Sequence, residues 1–500
     1  MEAKSVKNII GQILIKKYLI TLTTIMILFG SFNGEEASAQ TSKKVYEIDQ
    51  FIQSMMEKNN IPGASVAITH KDKVIFSKGY GQTADKIPVT SDTPFPIASL
   101  SKSFTALAVM QLVEDGRVNL DTPVVNYISS LNLHDKRGSK ITVRHLLNQT
   151  SGLTDRVNPD MTLNPQPNSL KAAIDRLKNV DLASEPGQKY HYHNPNYQIL
   201  ARLVEVVSKE KFSDYLTNHI FKPLDMKHTY NVTNTNELNK SDKLSSGHFF
   251  LFGKPVAVNE PEWFIDGPAG IVSTADDMAN WLISQQNGGM YKNNQILSSS
   301  GIQIMQTSAS SEISYGMGWN IGETEDGKKQ VQHSGILWTY KAKEVLLPED
   351  GYGVVMLFNS GLNTFVDYSS FTNGITKLLA NHPTEESFWG SQFLEIGMIV
   401  LIALSIILEI RNFLHIENWE RKYKKRPKWR SFFYLIVRLI PFFLLILIPS
   451  IITFIGGGRV LNMKGILMTM PSIIIWLGIV SIMSLIIVIS RMIRILQMKK

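Results

Sequence analysis

Apolar and polar positions along the chain fall into three regimes. From about residue 40 to 387 they change at short range, as in a folded body. Ala64-Ser65-Val66-Ala67-Ile68-Thr69 and Lys73-Val74-Ile75-Phe76 flank the polar His70-Lys71-Asp72, a pattern that predicts a hairpin. Late in the same stretch, Gln330 to Ile336, Lys343 to Leu347 and Tyr352 to Phe358 read as strands, the last two parted by the turn Pro348-Glu349-Asp350-Gly351. Early and late strands are expected to share one antiparallel sheet. Between them, Phe104, Leu107, Ala108, Leu112 and Val113 recur at helical spacing and predict a helix over Ser99 to Glu114, stopped by Gly116. Leu200 to Val207, Ser213 to Phe221 and Ala275 to Ser284 also read as helices, the last with Ser273 as N-cap and Asp276 three residues on. Such helices would cover the sheet of one mixed α/β body.

The other two regimes lie at the ends. Residues 1–39 place Lys4, Lys7, Lys16 and Lys17 before an apolar stretch near Leu19 to Phe32, then Ala37-Ser38-Ala39, a small-x-small cleavage pattern. That is a signal peptide or an uncleaved anchor, and either one exports the body that begins near residue 40. Residues 388–500 carry apolar runs near Phe388 to Ile410, Phe432 to Ile455 and Met468 to Ile489, each long enough to span a bilayer, which predicts three transmembrane helices. The loop 411–430 holds eight Lys or Arg against Glu417 and Glu420, whereas the loop Gly456 to Gly465 has only Arg459 and Lys464. By the positive-inside rule the basic loop and the tail are cytoplasmic, which leaves residues 40–387 extracellular on a multi-pass cell-membrane protein. Arg438, near the basic end of the second run, is expected to snorkel to the interface.

Charge follows that division. The chain is +8 overall, yet loop 411–430 supplies +6 and tail 491–500 supplies +4, while residues 40–387 are net −4. The basic residues therefore flank membrane and form no face for a phosphate backbone, so no nucleic-acid partner is expected. Without a cysteine the chain has no disulfide, thiolate metal site or cysteine nucleophile. No His-x-x-x-His helix and no carboxylate cluster is expected to accompany His191, His193 and His333, and neither a metal nor a cofactor is assigned.

The run Ser99-Leu100-Ser101-Lys102 offers the candidate chemistry. Three positions apart on a helix, hydroxyl and amine share a face, and a lysine removed from water loses charge and can take the serine proton. The helix N-terminus favours the negative charge that develops on acyl transfer. Taken alone, the same run describes an N-cap serine followed by an exposed lysine.

Downstream runs add weight. Leu146-Leu147-Asn148-Gln149-Thr150-Ser151-Gly152-Leu153, Tyr192-His193-Asn194, Gly267-Pro268-Ala269-Gly270-Ile271-Val272-Ser273-Thr274-Ala275, Tyr315-Gly316-Met317-Gly318-Trp319 and His333-Ser334-Gly335 come in that order. With Pro96 to Lys102 they resemble the motifs of the serine β-lactamase-like hydrolases, the family of class C β-lactamases, low-molecular-weight penicillin-binding proteins, D-amino-acid peptidases and related esterases. Gln149 stands where the family has histidine, and His333 where many members have lysine.

The resemblance implies a β-lactamase/transpeptidase-like antiparallel sheet covered by helices, ahead of the transmembrane bundle. It implies Ser99 as nucleophile with Lys102 and Tyr192 as proton carriers, the lysine favouring phenolate on Tyr192. It further implies Asn194 holding the Lys102 amine or a substrate amide, and an edge strand His333-Ser334-Gly335 lining the site. In that strand Gly335 would let substrate backbone approach, and the N–H groups of Ser99 and Ile336 would form the oxyanion hole. Histidine at 333 makes a substrate-anchoring charge dependent on pH and points away from an ordinary β-lactamase. The expected activity is an acyl-enzyme hydrolase, an esterase or D-amino-acid peptidase, whose partners are membrane lipid and a cell-wall polymer or D-amino-acid-containing small substrate. A non-catalytic membrane sensor or scaffold is the alternative. Oligomeric state is left open.

Overall fold

A computed structural model describes residues 43–384 and 390–498. The expected signal or anchor and its cleavage pattern lie outside those residues. The described parts of residues 1–54 and 373–385 form one compact unit, and those of 55–372 and 386–500 a second. In the first, the Lys44 amine donates to the Leu379 carbonyl at 2.9 Å.

The second unit is built on a six-stranded sheet of β1 (Gly63–His70), β2 (Lys73–Gly81), β3 (Asn320–Glu323), β4 (Lys329–Ile336), β5 (Lys341–Leu347) and β6 (Tyr352–Phe358). Their order is β3-β4-β5-β6-β1-β2, and every neighbouring pair is antiparallel. The join between early and late strands is β1 on β6, with Ala64 opposite Phe358 and His70 opposite Tyr352. β1, β5 and β6 are buried almost end to end; β6 accordingly reads as a nearly continuous apolar run, whereas β5 buries Lys341, Lys343 and Glu344.

Two helices meet over this sheet: α1 (Ser101–Glu114) and, after α2 (Asn194–Ser208), α3 (Ala275–Gln286). α1 is apolar on nearly every side because nearly every side is covered. Phe104 of α1 stacks on Trp281 of α3 with ring centroids 3.7 Å apart, and both side chains are fully buried. The cap of α3 differs from expectation by one residue. Thr274, not Ser273, accepts the Asp277 N–H, while Ser273 is inside a short strand and bonds Thr229.

At the C-terminal end the helices are α4 (Ser391–Leu414), α5 (Ile416–Lys425), α6 (Lys428–Arg438), α7 (Ile440–Ile455), α8 (Met463–Thr469) and α9 (Pro471–Gln497). Among the described residues α4 and α9 are each long and apolar enough to cross a membrane, and α6 with α7 makes a third candidate bent by 42° at their junction. Their large apolar side chains are widely exposed, as in Ile407, Phe454 and Ile482, an arrangement that suits contact with lipid. Segment 411–430 is no open loop, because its Lys-, Arg- and Glu-rich composition forms the polar helix α5. Glu420 of α5 takes Lys424 and Arg494, each at 3.2 Å. Arg438 does not snorkel free; it donates to Glu409 of α4 at 2.6 Å. α4 leaves the sheet-bearing body beside Asn59, and α9 starts against the first turns of α4, where Ser472 donates to Glu395, and ends near α5, so body and basic helix occupy opposite ends of the apolar helices.

Candidate functional site

The N-terminus of α1 is where the motifs converge. Ser99 belongs to a tight 3-10 turn, Ala98–Leu100, that leads into α1. Ala98 holds φ at +49°, a left-handed backbone that costs a side-chain-bearing residue energy and aims the next residue out of the helix line. Ser99 is therefore only half-buried while its neighbours on both sides are fully buried. The turn is clamped from two directions: Ile97 N–H donates to the Ile271 carbonyl at 2.9 Å, and Ile271 N–H to Ser101 Oγ at 3.1 Å.

Lys102 sits one turn on, with no solvent exposure. Its Nζ lies 3.0 Å from Ser99 Oγ, and donates to Asn194 Oδ1 at 2.9 Å and to the Pro268 carbonyl at 3.1 Å. Burial, then the nearby charge of Arg459, pushes this amine well below the ordinary 10.5, while Asp160 pulls the other way. A neutral amine has two donors and one lone pair. Asn194 and Pro268 take the donors, which leaves the lone pair for the serine proton.

Tyr192 borders the same point, with Lys102 Nζ 4.8 Å from its ring centroid. Burial pushes the phenol up to about 12 against the opposing effects of Ser99 and Arg459. The phenolate expected from the neighbouring lysine is thus overturned: both groups are desolvated, and desolvation disfavours both charges. Asn194 begins α2 and joins two parts of the site, since its Nδ2 donates to Asp160 Oδ2 at 2.8 Å.

Gln149 holds the Tyr192 segment in place. It takes φ +60°, its carbonyl accepts His191 N–H at 2.8 Å, and its Oε1 accepts His193 N–H at 3.0 Å and Asn196 Nδ2 at 2.6 Å. An amide supplies the acceptor these donors require.

β4 closes the other side. His333 is 2% exposed, its Nδ1 bonds the Ser334 carbonyl at 2.9 Å, and its Nε2 is 3.3 Å from the Tyr315 hydroxyl. Burial, then Lys102, pushes the imidazole down to about 3, so the pH-dependent anchoring charge expected there is not formed near neutrality. A Cβ on Gly335 would stand 2.1 Å from the Ile97 carbonyl oxygen, so the glycine admits the turn that bears Ser99. By strand alternation Ser334 and Ile336 point to the opposite face from His333 and Gly335, Ser334 opposite Lys343 and Ile336 exposed at 37%. Gly318 makes the second close approach: at φ +81° its Cβ would lie 2.7 Å from Ser103 Cα, pressing the Tyr315-to-Trp319 turn onto α1.

Three neighbours had no place in the site expected from the sequence. Asp155 and Asp160, 3% and 6% exposed, lie behind Asn194, and Arg459 comes from the segment between α7 and α8, with Nε 3.7 Å from Asp155 Oδ2. Only Asp155, four residues beyond Ser151 in its motif, had a local signal. Asp155, Asp160 and His193 form the one group of metal-ligating composition among the described residues, with ligating atoms within 4.8 Å of one another. A guanidinium already meets its negative charge, so this is an ion-pair node. Burial raises the Asp155 carboxyl, but His193 and Arg459 more than offset it and hold it low, whereas burial keeps Asp160 raised.

The Beta-lactamase family model matches residues 48–370. The chain belongs to that family. Among family relatives, the protein flp of Staphylococcus aureus strain MW2 is 31% identical over 331 residues, which cover 64% of either chain. A D-aminopeptidase of Brucella anthropi is 27% identical over 62% of this chain and 59% of its own. The match thus spans less than two thirds of these relatives. The octameric penicillin-binding protein homologue from Pyrococcus abyssi superposes with a TM-score of 0.59 at 28% identity, covering 68% of this chain and 78% of that one. EstCE1, a hydrolase with promiscuous acyltransferase activity, shares the fold at TM-score 0.58 and 20% identity, over 69% of this chain and 99% of its own. The family is one of β-lactamase-fold serine hydrolases, and a D-aminopeptidase and a penicillin-binding protein homologue are among the relatives of this member.

Proposed function

We propose that the protein is a membrane-anchored extracellular serine hydrolase that acts on D-amino-acid esters or amides of the cell envelope through an acyl-enzyme on Ser99. The observation that carries this reading is the contact of Ser99 Oγ with a fully buried amine, Lys102 Nζ, at 3.0 Å. Ser99 Oγ attacks the substrate carbonyl carbon as its proton passes to the Lys102 lone pair. The N–H groups of Ser99 and Ile336 receive the developing oxyanion. As the intermediate collapses, Tyr192, which keeps its proton, protonates the leaving alcohol or amine and recovers a proton from Lys102. Water then attacks the acyl carbonyl by the same route and frees the acid.

The D-aminopeptidase and penicillin-binding protein relatives support D-amino-acid substrates. A neutral His333 supports ester or uncharged amide recognition over anchoring of a β-lactam carboxylate. The outward orientation rests on the positive-inside rule, since the basic helix α5 lies at the far end of the apolar helices from the body. A sensor has no use for a desolvated lysine against a serine hydroxyl.

The test uses the full-length protein in detergent, exposed to a panel of D-alanyl esters and penicillins and measured by intact mass. A covalent adduct mapped to Ser99, absent in Ser99→Ala, is expected. Ester hydrolysis that persists unchanged in Ser99→Ala would end the proposal.

A further inference from the structure

The membrane segment reaches the site. Between α7 and α8 the chain turns back onto the body, and three contacts seat it. Val460 N–H donates to Asp155 Oδ2 at 2.8 Å. Gly465 lies so close to Trp338 that a Cβ there would be 2.2 Å from Cη2 of the indole. Thr364 N–H donates to the Thr469 carbonyl at 3.1 Å. Asn462 caps α8 by accepting Gly465 N–H at 2.8 Å, which fixes the loop's exit.

This seating delivers one charged side chain to the site. Arg459 Nε is 3.7 Å from Asp155 Oδ2, Nη2 is 3.0 Å from Met161 Sδ, and the guanidinium carbon is 5.9 Å from the Tyr192 ring centroid. Nη1 is buried without a hydrogen-bond partner. A surface topology charge has no reason to be held this way: such an arginine would keep its guanidinium in water. A line of contacts connects it to the nucleophile, from Asp155 to Asp160, on to Asn194, and from Asn194 to Lys102, whose Nζ touches Ser99.

We propose that Arg459 is a positioning residue of the hydrolase site, docked from the loop between the membrane helices onto Asp155, so that the membrane segment is a working part of the enzyme. The physical reason is charge balance. The charged and titratable groups facing Lys102 are Arg459, Asp160, Tyr192, Tyr197 and His333; those facing Arg459 are Asp155, Asp160, Tyr192 and Lys102. Of these only Asp155 and Asp160 can bring negative charge at neutral pH, and it favours the ammonium form of Lys102. Arg459 offsets that charge and favours the neutral amine that takes the serine proton. Its removal therefore raises the lysine's affinity for a proton and moves the acidic limb of activity to higher pH.

This inference rests on the hydrolase reading, and the experiment separates the two. Full-length wild type, Arg459→Gln, Arg459→Lys and Ser99→Ala are compared in nanodiscs, with kcat/KM for p-nitrophenyl acetate followed from pH 5 to 10. Labelling of Ser99 by a fluorophosphonate and thermal melting accompany the kinetics. Arg459→Gln is expected to shift the acidic limb up by about one unit, and so to lower kcat/KM near pH 7 about tenfold, mostly in kcat and with recovery at high pH. Arg459→Lys restores most of the profile. A merely structural loss would lower activity at every pH together with the melting temperature, and would overturn the inference. So would an Arg459→Gln protein with the wild-type profile while Ser99→Ala is dead, or one more active than wild type, which would make the loop a plug. A wild type that neither hydrolyses nor labels at Ser99 removes the hydrolase reading, and the inference with it.

Discussion

Gly335→Ala tests how the strand and the turn that bears Ser99 fit together. The added methyl would meet the Ile97 carbonyl oxygen at 2.1 Å and its carbon at 3.1 Å, with Leu100 Cδ1 also at 3.1 Å. The first contact is over an ångström short of an ordinary one, and both partners are backbone. β4 is held by pairing to β5, and Ile97 by its bond to Ile271, so either the ladder opens or the turn bearing Ser99 moves. Overpacking of this kind costs about 1–3 kcal/mol of stability. Displacement of a reacting group by about 1 Å costs on the order of a hundredfold in rate. The assay is kcat/KM for a small and a bulky ester, with fluorophosphonate labelling and melting on the same preparations. Since the defect lies in the turn, both esters and the labelling rate should fall together by roughly a hundredfold. A variant that handles the small ester and the probe normally, and fails only with the bulky ester, would return Gly335 to the role of admitting substrate and refute the geometric argument.

Three further outcomes are expected from the same geometry. Lys102→Arg places a cation that does not deprotonate beside Ser99 and should lower kcat/KM by roughly a thousandfold; in wild type the rate should rise with pH through the lowered Lys102 value, well below 10.5, and a limb near the ordinary value would contradict it. His333 has a folded value of about 3, below its unfolded 6.5, so the unfolded chain binds the extra proton in that window and stability should be lost as pH falls from 6.5 toward 3; His333→Asn should flatten that part of a melting-temperature profile, and an unchanged slope counts against a buried neutral imidazole. Phe104→Ala removes a fully buried ring stacked on Trp281 and should cost about 3–5 kcal/mol in denaturant unfolding, a loss under about 1 kcal/mol being incompatible with that packing.

The sequence by itself determined the elements whose signal is local. Alternation and turn residues marked the strands on both sides of His70-Lys71-Asp72 and of Pro348 to Gly351, and helical spacing marked α1, because each pattern reports which side of a single element is covered. The order of six motifs was enough to bring Ser99, Lys102, Tyr192, Asn194 and His333 to one place, and the long apolar runs marked α4, α9 and the bent pair α6 and α7, though not the polar α5. What the sequence could not supply was the sum of burial and charge at a point in space. His333 and Tyr192 are titratable in any sequence reading; only their burial among one another decided that both stay neutral. Gly335 faced the Ile97 carbonyl because a distant turn packs against its strand. Arg459 counted in the sequence as a minor charge in a short loop, separated from Asp155 by some 300 residues. Only the tertiary structure, by folding the segment after α7 back onto the body, set that guanidinium against the carboxylates behind Lys102.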